Sequence, residues 1–167
     1  MADYTQMQLM IHDVPAEQVW PLSVVLADWE LSVDWEGPAA QRGTVHLGTL
    51  YTEREAAGHA PKALATAVIA AAPGTTFITW SDPGSEWQGV MVRHTPELGR
   101  RDDECTADGE AIFREPEINR ALLADRGRTA LDEALYALVG TRWTAALVGR
   151  ADDRTLTAAA PAEPPTS

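Results

Sequence analysis

The hydrophobic period of residues 4–82 switches repeatedly between two and about 3.6, and each switch marks an expected element. From Gln6 to Val14 the period is two: Met7, Leu9 and Ile11 alternate with Gln8, Met10 and His12, as in a half-buried strand. Asp13-Val14-Pro15 closes it. Ala16 to Trp29 then reads as a helix, with Val19, Leu22, Val25, Leu26 and Trp29 on one face. Pro21 lacks a backbone donor, so this helix either starts late, with Pro21 in its first turn, or kinks there. Leu31 to Trp35 is a short second strand. Thr44 to Thr52 is a third, with Val45, Leu47, Thr49 and Tyr51 on one side. Pro61 opens a second helix with a stripe of Leu64, Val68 and Ala71 or Ala72, and Pro73-Gly74 stops it. Thr75 to Ser81, rich in β-branched and aromatic residues, is a fourth strand.

The resulting order, β-α-β-β-α-β, is that of an α+β ferredoxin-like core with two helices on one face of an antiparallel sheet in the order 4-1-3-2. An antiparallel β extension follows at 83–113. Val90 to Thr95 is a strand expected to pair near Phe77. Pro96 to Glu104 reads as a polar bend, and Asp108-Gly109 as a hairpin turn joining 104–106 to 111–113. C-terminal helices over 115–149 start at Pro116, break or bend near Gly127 and pack on the sheet. Their stripe is Leu131, Leu135, Leu138, Val139, Trp143, Ala146 and Leu147, which also offers a homodimer contact. Residues 155–167, Ala/Pro-rich and aperiodic, read as a disordered tail. The expected organisation is therefore one domain, 1–154, with its core at 4–82, plus that tail.

Charge narrows the function classes. The chain has net charge -12, and no lysine or arginine precedes Arg42, whereas Asp3, Asp13, Glu17, Asp28, Glu30, Asp34 and Glu36 do. Such a surface repels nucleic acid and anionic lipid over a Debye length of about 8 Å and attracts cationic proteins. Cys105 is the single cysteine, which excludes an internal disulfide and any multi-cysteine zinc site. The start of the chain lacks the basic and apolar regions of a secretory signal, and no apolar run is of membrane-spanning length, so the expected compartment is the cytoplasm.

No residue pattern marks a catalytic centre, and no cofactor or metal is expected. His12, His46, His59 and His94 are scattered, without helical or paired metal-ligand spacing. Cys105 follows Asp102-Asp103-Glu104, which disfavours a thiolate. Ser81 and His94 lack a nucleophile elbow or an oxyanion glycine run. The acidic run with Asp108 and Glu110 lacks the ligand ladder of a calcium loop. Of the six tryptophans, most are expected in the core. Trp87, in the polar turn Ser85-Glu86-Trp87-Gln88-Gly89, is expected to be partly exposed. A tryptophan beside carboxylates is the composition of an interface anchor. Trp87, Glu86, Asp102, Asp103, Glu104 and Asp108 are thus the candidate interface.

Two resemblances bear on this reading. Leu9 to Pro15, with Arg42-Gly43-Thr44-Val45-His46-Leu47 and Glu53-Arg54-Glu55-Ala56-Ala57, resembles the first strand, third strand and following helix start of an RNA recognition motif. That family stacks bases on aromatic platforms, and the corresponding positions here hold Thr44 and His46. Separately, Trp80-Ser81-Asp82-Pro83, Glu86-Trp87-Gln88-Gly89, Thr95-Pro96-Glu97-Leu98-Gly99 and Cys105 to Gly109 resemble small uncharacterised proteins of actinomycetes, their plasmids and their phages. This second resemblance implies a host range and a mobile-element accessory role. Lys62 as the only lysine, among abundant alanine and arginine, agrees with a high-GC coding bias.

The function expected from sequence is a non-enzymatic acidic module that binds a basic protein through the 82–110 region. One alternative is a small-molecule binder or enzyme with a pocket between sheet and terminal helix. The other is nucleic-acid binding by the open sheet face.

Overall fold

Met7, Leu9 and Ile11 are fully buried, and the strand that carries them, β1 (Tyr4–Asp13), organises the main sheet. The structure, a computed structural model, describes residues 4–85, 87–123, 128–148 and 153–161. It is a mixed α+β chain with a mostly antiparallel sheet and, among the described residues, five α-helices.

A single 3-10 turn at Ala16–Gln18 leads into α1 (Val19–Asp28). Pro21 is the third residue of α1, where its missing N–H is one that an α-helix leaves unbonded anyway. Val19, Leu22 and Leu26 point inward, and Val25 and Trp29 pack at the margin. The second strand is only two residues long, β2 (Ser32–Val33).

The expected third strand is two strands. β3 (Thr44–Leu47) and β4 (Leu50–Ala57) are separated by Gly48, whose φ of +70° turns the chain. The Gly48 N–H donates to the Ile11 carbonyl at 2.8 Å, which anchors the turn on β1. β4 pairs with β1, so Glu53 to Ala57, a helix start in the RNA-motif resemblance, is strand. α2 (Ala60–Ala71) buries Leu64, Ala65 and Val68 on the face that α1 also covers. β5 (Thr76–Ser81) then pairs with the other edge of β1. The order β2-β4-β1-β5 has every neighbouring pair antiparallel.

β6 (Gly89–Thr95) pairs with β5, placing Phe77 opposite His94. The next segment departs from expectation. Gly99 to Cys105 is not a polar bend but a seven-residue strand, β7, paired along its whole length with β6. Five of its residues are charged, yet a strand's period of two stacks Arg100 over Asp102 and Arg101 over Asp103. These neighbours satisfy one another, so the ladder forms despite the polar composition. Gly99, at φ +73°, makes the turn. The Asp108-Gly109 hairpin forms as expected and ends in β8 (Ala111–Ile112).

The C-terminal stripe is divided. After α3 (Glu115–Leu123), two helices, α4 (Arg128–Val139) and α5 (Thr141–Val148), replace the single last helix expected to carry it, and the expected break near Gly127 lies outside the described residues. Gly140, at φ +66°, separates α4 from α5. A Cβ there would lie 2.5 Å from the Arg93 guanidinium and 2.8 Å from that of Arg101. The reason is a buried cluster. Arg93 donates to Asp103 at 2.6 Å and to the Thr144 hydroxyl at 2.8 Å. Arg101 donates to Asp103 at 2.9 Å and also to the Ala137 and Leu138 carbonyls at the end of α4. Guanidinium groups at a helix C-terminus satisfy its unbonded carbonyls and oppose its negative dipole end. Trp143 adds an N–H bond of 3.1 Å to the Gly99 carbonyl and stacks under Arg101.

The expected disordered tail is likewise corrected in part. β9 (Arg154–Thr157) pairs with β3 in a second, two-stranded sheet, and Leu156 packs on the core. Gly43 permits it: a Cβ there would lie 2.7 Å from the Ala158 carbonyl oxygen, and its φ is +85°. Residues 162–167 lie outside the described part.

The Asp103 carboxylate balances two guanidinium groups in a site where its own side chain is 10% exposed. Replacing Asp103 by alanine should cost about 3–5 kcal/mol, the range for removing one partner of a buried ion pair. Urea denaturation measures that loss, and hydrogen exchange should show early opening at α4 and α5.

Candidate functional site

The pleat of β7 separates the acidic run that the sequence presents as contiguous. Asp102 and Glu104 lie on one side and Asp103 on the other. Each has a basic partner: Asp102 has Arg100 at 2.6 Å and Lys62 at 4.0 Å, Asp103 has Arg93 and Arg101, and Glu104 has Arg114. The expected free acidic face at 102–104 is therefore internally neutralised. Asp108 is exposed at the hairpin tip, where Trp80 donates to the adjacent Ala107 carbonyl at 3.2 Å. Glu86 lies outside the described residues.

Trp87 is half-buried, folded against Gly58 and Gly84. An added Cβ would come within 2.8 Å of its indole nitrogen at the first and 2.4 Å of its ring at the second. Its indole N–H is buried without a partner. Trp87, Asp102, Asp103 and Glu104 do share one groove of about 1050 Å3, walled also by Lys62 and Arg114. Four of the six candidate residues are thus brought together, but in a charge-balanced trough.

The expectation that most tryptophans are core is corrected: none of the six is fully buried, and the largest buried aromatics are Tyr51 and Phe77. The indole that stands out is Trp35, 51% exposed. It sits in a four-residue excursion, Asp34 to Gly37, closed by the Val33 N–H to the Pro38 carbonyl at 2.8 Å. Asp34 adopts φ +57°, a conformation that short polar side chains tolerate. Gly37 is obligatory, because a Cβ would lie 1.6 Å from the Val33 carbonyl oxygen. Asp34 and Glu36 flank the indole in sequence, and Glu36, Glu53 and Glu55 line the same depression as Trp35. Arg54 stacks on the ring with its guanidinium carbon 5.2 Å from the ring centre. Asp34, Glu36 and Glu55 are exposed. The sequence carried this signal in Asp34-Trp35-Glu36-Gly37 beside Glu53-Arg54-Glu55, but only the β2–β4 pairing joins them.

The histidines are dispersed. His46 bonds Thr155 at 2.9 Å in the small sheet, His94 bonds the Thr75 carbonyl at 2.8 Å, and His59 is exposed. Among the described residues, no group of three metal-ligating side chains forms. His94 pairs with Phe77, four residues along β5 from Ser81, or about 13 Å at strand rise, so the two share no reacting centre. His12 differs from the others. It is 6% exposed, both ring nitrogens are buried without partners, and burial lowers its pKa below 6.5. Cys105 is buried, with its Sγ 3.7 Å from the Ser81 carbonyl. Burial first, then Asp82 and Asp103, push its pKa up to about 12.

Residues 12–153 match the family described as "Protein of unknown function (DUF3145)", and the chain belongs to that family. No curated protein and no solved structure matches it. No helix among the described residues is long and apolar enough to cross a membrane.

Two outcomes follow for these buried groups. The Cys105 thiol should resist a thiol-specific reagent in the native protein and react at the ordinary rate in denaturant; rapid native labelling would contradict its burial. His12 binds its proton more weakly folded than unfolded. Its contribution to stability is therefore complete above about pH 6.5 and is lost as pH falls through the lower, folded pKa. The urea midpoint should fall between about pH 7 and pH 5, and His12→Phe should flatten that slope.

Proposed function

We propose that this protein is a non-enzymatic binding module for a basic protein, and that Trp35 with its surrounding carboxylates is the contact. The observation that carries this is the pairing of an exposed indole with Asp34, Glu36, Glu53 and Glu55, against Arg54 as the one cation among the described residues lining the depression. Aromatic anchors supply apolar area at interfaces, and unneutralised carboxylates around them steer cationic partners. The function class is the one expected from net charge. The location differs, because the 102–104 carboxylates already hold arginines of the same chain.

The same reading takes the β1–α1–β2 and β4–α2–β5 units as a ferredoxin-like core, supported by the order β2-β4-β1-β5 and by two helices on one face. In that frame the opposite face is the one that an RNA recognition motif would use to stack bases. Here α5 lies against β5 and β6 on it, and the 106–110 hairpin tip rests on Trp80. That geometry favours a protein partner over a nucleic acid.

The test is affinity capture with the full chain at low and high salt, using wild type, Trp35→Ala and Asp102→Asn. A basic protein should be retained at low salt by wild type and Asp102→Asn. Trp35→Ala should bind it about 30-fold more weakly, the effect of an interface anchor worth roughly 2 kcal/mol. Capture of no basic protein at either salt, or equal capture by Trp35→Ala, overturns the reading.

A further inference from the structure

A second site lies on the other face of the sheet. A cleft of about 530 Å3 runs between that face and α5, within the size range of small-molecule sites. Its floor is Met10, Ile78, Trp80 and Met91, and Leu147 of α5 forms part of its roof. Met91 and Leu147 are almost wholly buried. His12 closes one end with neither ring nitrogen hydrogen-bonded. Arg93 lies two strands across the sheet, on β6 opposite Ile78, and its Nε is also buried without a partner.

Buried polar atoms in folded proteins are nearly always paired, so unpaired ones that line a cavity mark where another molecule's polar atoms belong. We propose that this cleft binds a small, uncharged, mainly apolar molecule bearing a hydroxyl group, with His12 as its hydrogen-bond partner. A neutral imidazole presents one donor and one bare acceptor. A hydroxyl pairs with whichever nitrogen faces it, donating to the bare nitrogen or accepting from the N–H. The apolar body covers Ile78, Met91 and Leu147. A carboxylate is disfavoured on three counts: Arg93 is already matched by Asp103, Asp108 and Glu110 line the cleft's hairpin side, and His12 is held neutral by burial. The site is independent of the Trp35 surface and stands or falls separately.

The probes are decan-1-ol and decanoate, titrated into the full chain while the histidine ring nitrogens are followed by NMR. Decan-1-ol should shift the His12 signals saturably, and decanoate should bind about tenfold more weakly. His12→Phe removes the hydrogen bond but keeps a ring, and should weaken decan-1-ol about tenfold while circular dichroism stays native. Leu147→Trp fills the roof and should abolish binding. Should either variant fail to fold, the wild-type ring signals and the alcohol-to-carboxylate ranking still decide. No saturable shift of the His12 ring, which leaves water as its only partner, overturns the proposal. So does decanoate binding as tightly as decan-1-ol, or a folded His12→Phe binding it undiminished.

Discussion

The attachment of the C-terminal helices depends on one carboxylate shared by two arginines. Asp103 accepts from Arg93 and Arg101, and those guanidinium groups in turn hold the last carbonyls of α4 and the Thr144 hydroxyl. Buried ion pairs are weak evidence for net stability, because desolvation offsets much of the Coulomb gain. Their strength here lies in placement. Arginine donors are directional, so they fix where α4 ends and at what angle α5 leaves. Gly140 is part of the same device, since no side chain fits between the two guanidiniums. An apolar stripe alone would have docked the helices with less definite register, and Val139 remains 41% exposed despite lying on it.

Periodicity made the first half of the fold legible. Met7, Leu9 and Ile11 face inward as the alternation requires, and α1 and α2 bury the faces their spacings define. The failures share a cause. The Thr44–Thr52 alternation survives a turn, because Gly48 reverses the chain without breaking the order of apolar residues. Arg100 to Glu104 resembles loop by composition, because polarity along the chain does not reveal that residues two apart neutralise one another on one face. β9 has no apolar run to announce it; it forms because β3 has a free edge and Gly43 leaves room for the Ala158 carbonyl.

The candidate surface was less legible for a related reason. Linear clustering drew attention to Asp102-Asp103-Glu104, yet a strand divides such a cluster between two faces, and arginines of the same and neighbouring elements neutralise it. The acids around Trp35 come from a turn and from β4, and no window of sequence shows them together. A net charge of -12 therefore says that negative potential exists but not where it is displayed. Its location follows from which carboxylates are not ion-paired to a guanidinium, and that is decided by strand pairing.

The two cavities beside the sheet are separated by the same cluster that docks the helices. Arg101, Asp103 and Leu138 line the larger groove, whereas Arg93, Val139 and Thr144 line the cleft beneath α5. Successive residues at the end of α4 thus face different cavities. Among the described residues of that cluster, the buried side-chain polar atom left unpaired is the Arg93 Nε, and Arg93 lines the cleft and not the groove. With His12 it leaves the cleft, predominantly apolar, holding most of the unpaired polar atoms, whereas the charged groove has balanced almost all of its own. Unmet hydrogen bonds mark where another molecule's polar atoms would belong, which is why the quieter of the two cavities is the one we propose as a ligand site.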